Sequence, residues 1–378
     1  MRSYLFVLML LATGSCTVFP PDYTPVQDSV STQPRVVVAR NPVEANLKDQ
    51  SARLLAQIDA VDAIAHDPVL EEQAAFADAR RDSSLGAWAT AARSYRATAA
   101  SFARDTAAAD STRKEWIAEL DSLSGLVSQA ELSLRELVRV AEIRNIDEKL
   151  SPAASFRFQG APYSAIRVNP AAMDIHLHWK NAAGEKYISI QKLKQDLEKK
   201  GETVMMITNA GMYNPDNSPQ GLFIEKGKEL VPMDTSRGPA GQSLNFFLMP
   251  NGVFYIGNDG PKVVVTEKFP KSAKGIKFAT QSGPMLVIDG KLHPKFTKGS
   301  NNTNIRSGVG ITRDKQVVFA ISDRPVNFHD FATLFKDALH CDNALYLDGA
   351  ISQMYLPTSK RMDLGGDFGP IVAVTMKK

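Results

Sequence analysis

Two hydrophobic patterns divide the chain. From about Pro42 to Leu150, apolar residues recur every seven positions, at Trp88, Tyr95, Phe102, Ala109, Trp116, Leu123, Ala130 and Leu137. Most positions four residues later are apolar too: Ala92, Ala99, Leu120, Val127, Leu134 and Ala141. This a/d spacing predicts helices packed along their length, as a coiled coil or an antiparallel bundle. The region is rich in Ala, Leu, Arg and Glu and has no proline from Val69 to Leu150, which suits helix. Thr106 and Arg113 interrupt the seam, and Thr112 with Glu115 has the form of a capping box, so a turn is predicted near Asp110. Asp67-Pro68 reads as another helix start, with Asp67 as N-cap. Three or four helices are expected. Aromatics at heptad spacing are what a bundle core needs, and the region shows no chemistry.

At Ser151-Pro152 the helical pattern stops, and Pro152, Gly160 and Pro162 read as a linker. Beyond it come short β-rich runs separated by Gly, Asn, Asp and Pro. Strands are predicted at Tyr163–Val168, Met173–Trp179, Val204–Asn209, Gly221–Glu225, Phe246–Met249, Val253–Ile256, Pro284–Ile288, Gly308–Thr312, Val317–Ile321, Ala344–Leu347 and Ile371–Thr375. Asp289-Gly290, Asn251-Gly252 and Arg313-Asp314 have hairpin-turn composition. Two helices stand out, Ser189–Lys200 and Phe328–Leu339, the second with Asn327 as N-cap and Asp330 at N3. The expected fold is α+β: an N-terminal helical bundle or coiled coil over 44–150, then a mixed, mostly antiparallel β-sheet domain with a few helices over 160–378.

The N-terminus changes the picture of where the chain works. Arg2, the apolar run Leu5–Ala12 and Thr13-Gly14-Ser15-Cys16 are similar to a bacterial lipoprotein signal, cut before Cys16 so that this cysteine is lipidated. Thr13 departs from that pattern, where an aliphatic residue is usual, so plain secretion is the alternative. Prolines 20, 21, 25, 34 and 42 punctuate a polar tether over 16–43. The expected location is the cell envelope, lipid-anchored, or secreted. Charge separates the halves, with net −5 over 47–150 and net +8 over 151–378. The basic half leans towards an anionic ligand. Its lysines are scattered, with no arginine-rich stripe or aromatic platform, so nucleic acid is not expected. The other cysteine, Cys341, reads as a small buried hydrophobe.

Four polar-glycine segments end predicted strands. Asn209-Ala210-Gly211-Met212-Tyr213 offers an amide, a close backbone approach at Gly211 and a phenol. Gln281-Ser282-Gly283-Pro284 offers backbone N–H groups for an anion, and Arg306-Ser307-Gly308 a planar fork suited to phosphate. Leu345-Tyr346-Leu347-Asp348-Gly349 presents a carboxylate beside a glycine, with Ser352 and Gln353 close behind. Ser322-Asp323-Arg324 also ends a strand, and His329 lies in the first turn of the following helix. Alone, the Asp348 stretch reads equally as an ordinary Asp-Gly turn, while for the Asn209, Ser282 and Arg306 segments and His329 a turn, a cap or a solvated side chain is the simpler reading.

Taken in order, Asn-Ala-Gly-Met-Tyr, Ser-Gly-Pro-Met-Leu, Arg-Ser-Gly-Val-Gly and Tyr-Leu-Asp-Gly-Ala-Ile-Ser resemble the motif series of the phosphodiester glycosidase family. That family includes the enzyme that uncovers mannose 6-phosphate and bacterial proteins linked to exopolysaccharide metabolism. The segment NPDNSPQGLFIEKGKEL at 214–230, Asn245-Phe246-Phe247 and Pro325-Val326-Asn327-Phe328 add to the likeness. It spans about 160–378 and is nearest to the bacterial branch, leaving the helices outside it. Two departures stand out. Ala350-Ile351 occupies the place of a glycine-rich run, and the disulfides of animal members are absent.

The resemblance implies hydrolysis of a sugar-1-phosphate diester at the anomeric carbon. Asp348 is then the first-choice catalytic carboxylate and Asp323 the second. Arg306 with the Ser282 and Gly283 backbone would cradle the phosphate. Asn209, Gln281 and Ser352 would hold sugar or phosphate oxygens, with Gly211, Tyr213, Gly349 and His329 lining the site. No zinc-like spacing is present. A hard cation such as calcium or magnesium, held by Asp348 and Asn209, is an open alternative. Expected partners are an anionic glycan or glycosyl phosphate, a membrane through the lipid anchor, and a protein partner or second copy through the helical bundle. The rival functions are a non-catalytic phosphoglycan-binding lipoprotein and an envelope scaffold whose working part is the bundle.

Overall fold

A computed structural model describes residues 52–60, 62–63, 79–104, 110–238, 245–270, 272–348 and 351–378. Cys16, the Asp67-Pro68 helix start and Gly349 lie outside the described residues.

Two long helices, α1 (Ala79–Arg104) and α2 (Asp110–Lys149), pack side by side. Tyr95, Ala92, Val127 and Leu134 of the heptad seam are buried, together with Leu54 and Ile58 from the helical stretch over 52–60. Leu123, Ala130 and Leu137, in the same heptad series as Tyr95, are half-buried. α2 already begins at Asp110, two residues before the expected cap at Thr112. Its last turns enter the sheet region: Ile146 and Leu150 join that core, and Asp147 accepts from Arg167 and pairs with His340. No helix among the described residues is long and apolar enough to cross a membrane.

The remainder is mixed α+β, built on three antiparallel sheets. The largest runs β1 (Ala153–Phe158), β2 (Ala161–Val168), β13 (Val317–Ser322), β12 (Ser307–Thr312), β14 (Cys341–Asp348), β10 (Met285–Ile288) and β11 (Lys291–Leu292). The second runs β16 (Arg361–Met362), β15 (Met354–Leu356), β4 (Val204–Asn209), β17 (Ile371–Met376) and β3 (Met173–His178). The third runs β6 (Lys228–Val231), β5 (Phe223–Glu225), β9 (Ile276–Ser282), β7 (Gly252–Gly257) and β8 (Gly260–Val265). Their facing sides enclose one core, in which Val309, Phe319 and Leu345 meet Met206, Val374 and Met354 and also Phe223, Phe254 and Val263. The outer face of the large sheet is covered by α4 (Phe328–Thr333) and the π-helical turn Leu334–Ala338 that continues it. The outer face of the second sheet is covered by α3 (Ile190–Lys199), through Ile190, Leu193 and Leu197.

Several turns follow from their residues. β10 and β11 are joined by Asp289-Gly290 with φ of 46° and 76°, the pair of positive φ values that a type I′ hairpin demands. Gln159-Gly160 and Lys226-Gly227 do the same between β1 and β2 and between β5 and β6. Ser189 and Asn327 cap α3 and α4 by accepting from Lys192 N and Asp330 N.

Three expectations fail locally. The segment read as a linker forms the β1–β2 hairpin, because Phe156 and Phe158 bury against Tyr163 and the α4 side. Phe246–Met249 contains a 3-10 turn at Asn245–Phe247 instead of a strand. Asn251-Gly252 is no hairpin turn: Asn251 is buried, bonded to Phe246 O and Thr266 Oγ1, and Gly252 opens β7.

Two buried histidines give the fold an acid limit. Burial holds His178 down at about 3 and His293 at about 4. Below the usual histidine pKa the unfolded chain takes up protons that these folded rings refuse, so stability falls as pH drops from about 6.5 towards 4. The expected slope is about 1.4 kcal/mol per pH unit for each ring. Urea midpoints at pH 7, 5.5 and 4.5 measure this, and the slope is expected to be smaller in His178→Leu.

Candidate active site

β12 runs antiparallel to both β13 and β14, so its first residue, Ser307, lies level with the ends of those strands, opposite Ile321 and Asp348. The end of β4 reaches the same edge from the second sheet. There Asn209 Nδ2 donates to Ser307 Oγ at 2.9 Å, and that Oγ lies 3.2 Å from Asn209 Oδ1. Ser352 Oγ stands 3.3 Å from Ser307 Oγ and donates to the Asp348 carbonyl at 2.6 Å. Thr208 Oγ1 donates to Gln353 O at 2.7 Å, which draws the segment after Asp348 onto β4. Ser282 Oγ donates to Leu347 O at 2.8 Å from the other side. Asn209, Ser282 and Ser307 are fully buried, and Asp348 is 5 % exposed.

A register slip aims the carboxylate. Gly308 pairs with Tyr346, but Ser307 pairs with Asp348, so two residues of β14 face one of β12. Strict alternation would place Asp348 on the Tyr346 side of the sheet, towards α4. The bulge gives it the side of Ser307, as bulges beside active sites commonly re-aim a side chain. Tyr213 is half-buried nearby, and its phenol is pushed up to about 12 by burial, then by the charges of Asp348 and Asp367. It therefore stays protonated at neutral pH, as a hydrogen-bond donor beside a carboxylate.

Other expected site residues have different places. Gln281 is buried and bonded through every polar atom: Oε1 accepts from Leu222 N and Asp234 N, and Nε2 donates to Asp234 O. It ties the third sheet together, its amide oxygen and nitrogen both engaged by these neighbours. Arg306 faces away from Ser307, towards α4, and is fully buried. Its guanidinium stacks 3.6 Å over Phe328 and donates to Val326 O, Tyr346 Oη and Asn302 O. The structure gives it this fold-holding role in place of the expected phosphate cradle. Asp323 pairs with Arg361 and accepts from Ser164 Oγ at 3.2 Å, joining the large sheet to the edge of the second one, apart from the Asn209–Ser307 contact. Burial raises its pKa, and Arg361 opposes that. His329 is half-buried in the first turn of α4, 3.4 Å from Asp330 Oδ1.

Gly211 and Gly283 are required by packing. A Cβ at Gly211 would lie 2.4 Å from Thr280 Oγ1, and one at Gly283 would lie 2.6 Å from Asn251 Cβ. Among the described residues no three His, Cys, Asp or Glu side chains gather as a metal site would. Asn209 Oδ1, the ligand atom considered with Asp348, already faces Ser307 Oγ and Thr208 Oγ1, each at 3.2 Å. Sequence reasoning overlooked Ser307 as a site residue, because it was hidden beside the more conspicuous Arg306. The signal was there: neighbours on a strand point to opposite faces, so only one of the two could join Asn209.

The motifs that meet at this edge fall within residues 202–367, which match the family model for phosphodiester glycosidases. The uncharacterized protein YigE of Escherichia coli (strain K12) is 38 % identical over 192 residues, covering 51 % of this chain and 73 % of that protein. The chain belongs to the phosphodiester glycosidase family. It is accordingly a hydrolase of glycosidase type. Among solved structures, the catalytic domain of zebrafish N-acetylglucosamine-1-phosphodiester alpha-N-acetylglucosaminidase, auto-inhibited by its pro-peptide, is similar at 14 % identity and a TM-score of 0.42, covering 59 % of this chain and 81 % of that one. A Burkholderia pseudomallei protein named as a candidate exported protein is similar at 10 % identity and a TM-score of 0.38, covering 57 % and 75 %. Membership of the family rests on the family match and on YigE.

Arg306→Lys tests the buried tie. An ammonium cannot reach Val326 O, Asn302 O and Tyr346 Oη together. Each buried acceptor left unpaired costs roughly 1–3 kcal/mol, so a loss of about 2–4 kcal/mol is expected in denaturant unfolding.

Proposed function

We propose that this chain hydrolyses a sugar-1-phosphate diester of an envelope or exopolysaccharide glycan, cleaving at the anomeric carbon. The observation that supports this most is the placement of Asp348. A nearly buried carboxylate sits beside Ser307, where the motif ends from two sheets meet around Asn209.

Cleavage of such a bond needs little acid help, because a phosphate mono-anion or di-anion leaves readily. What it needs is a carboxylate to face the oxocarbenium-like centre and to take a proton from the attacking water. Asp348 fills that role. Ser307, Ser352 and Asn209 hold the peptide segment around it, and the neutral Tyr213 phenol donates to a sugar or phosphate oxygen. The net charge of +8 over 151–378 favours arrival of an anionic substrate. Lipidation at Cys16 would hold the enzyme at the envelope where such glycans lie, with the helices as spacer or self-association element.

Asp348→Asn is expected to reduce kcat at least about a hundredfold, the scale of a positioned general base. Asp323→Asn is expected to retain most activity. Release of free sugar from a panel of glycosyl phosphodiesters measures both. A chain that binds these compounds and never turns one over would make it a phosphoglycan-binding protein instead. Cys16→Ser is expected to move the protein from the membrane fraction to the soluble fraction, read by detergent partition.

A further inference from the structure

We propose that Asp367 is a specificity-determining residue of this site, its carboxylate accepting hydrogen bonds from hydroxyls of the sugar that lies against Tyr213. The proposal rests on the glycosyl-phosphodiester reading above and adds a second carboxylate with a role separate from that of Asp348.

The strap Gly365–Gly369 carries Asp367 and is held in a conformation that residues other than glycine adopt only when their surroundings enforce it. Asp367 itself has φ of 131°. Ile188, a β-branched residue with φ of 63°, turns its carbonyl to accept from both Asp367 N at 3.1 Å and Phe368 N at 2.8 Å. Gly366 lies so close to this carbonyl that a Cβ would come within 2.4 Å of it. From the other side Asn217 Nδ2 donates to Asp367 O at 3.2 Å and to Oδ1 at 3.0 Å, and Trp179 Nε1 fixes Asn217 by donating to its carbonyl at 2.8 Å. The start of the strap also closes the N-terminus of α3, where Gly365 O accepts from Ile190 N at 3.1 Å and Leu364 O from Gln191 N at 3.2 Å beside the Ser189 cap. Those bonds use the backbone ahead of Asp367 and leave its carboxylate at the rim.

The strap is also pressed against the site. A Cβ at Gly369 would lie 2.4 Å from Tyr213 Cβ and 2.9 Å from its Cγ, so only glycine lets Tyr213 and the strap meet. Asp348 and Asp367 are the two carboxylates whose charge reaches the Tyr213 phenol. Asp348 is almost buried at the strand end, whereas Asp367 is exposed at the rim. A buried acid suits the reacting centre. An exposed one, anchored through Oδ1, suits recognition of hydroxyls, for which a carboxylate is a strong acceptor. Backbone strain kept at such a place is consistent with a functional constraint.

The test uses the full chain and compares Asp367→Asn with wild type by titration calorimetry, against N-acetylglucosamine 1-phosphate, other hexose 1-phosphates and inorganic phosphate. The expected result is about a tenfold loss of affinity for the best-bound sugar phosphate, the scale of one charge-assisted hydrogen bond. Inorganic phosphate binding should be unchanged, and deoxygenating the recognised hydroxyl should erase the difference between the two proteins. In turnover assays the variant should raise KM and keep kcat within about twofold, unlike Asp348→Asn. Equal affinities for the sugar phosphate, an equal loss for inorganic phosphate, or no sugar phosphate binding by wild type would each overturn the proposal. Wild-type binding without turnover would sink the hydrolytic reading alone and leave this one standing.

Discussion

Asn209 is the last residue of β4 and Ser307 the first of β12, and the contact between their side chains joins two sheets at the point where both run out of backbone pairing. Both residues are fully buried. A buried amide without a partner is costly, so the pair is stable only when the two sheet edges arrive together. That condition has consequences further along the chain. Gln353 N approaches Asn209 Oδ1 at 3.4 Å and Ser352 Oγ approaches Ser307, so the segment after Asp348 is drawn over the junction. The carboxylate is thereby set on a scaffold built from strand ends instead of a free loop, which is how rigid folds present chemistry.

Around this junction the chain brings backbones together at distances that side chains would forbid. Gly211, Gly283 and Gly369 each face a neighbour that an added Cβ would meet at 2.6 Å or less. Large polar side chains then serve as internal ties. Gln281 replaces backbone pairing between Leu222 and Asp234, and Arg306 gathers the 302–306 loop, α4 and β14 around one guanidinium. Its charge is buried among carbonyl oxygens and the faces of Phe328 and Tyr346, an arrangement that the planar, weakly hydrated guanidinium tolerates better than an ammonium would. Motif residues thus split into those that face the site and those that hold the walls.

Much of the architecture was legible along the chain. Heptad spacing marked the helices that bury Tyr95, Val127 and Leu134. Period and turn residues located β4, β13 and β17 to within a residue, as well as the caps Ser189 and Asn327. β9 and β15 were missed, because Ile276–Ser282 and Met354–Leu356 are strands by virtue of their neighbours on both sides and not through any local alternation. Four motif ends could be named from sequence, since polar residues and glycines after apolar runs are local signals.

What sequence by itself determined is therefore local: which segments bury, where they turn, and which polar groups stand at strand ends, because propensity, φ preference and periodicity act over a few residues. Tertiary structure decided which way those groups point. Asp348 reaches the face of Ser307 only through a one-residue slip against β12, and Arg306 and Ser307, adjacent in sequence, serve opposite faces of one sheet. Register is set by the partner strand and by the burial of a whole face, and a shift of one residue exchanges inside for outside. No stretch of the chain read alone carries that information.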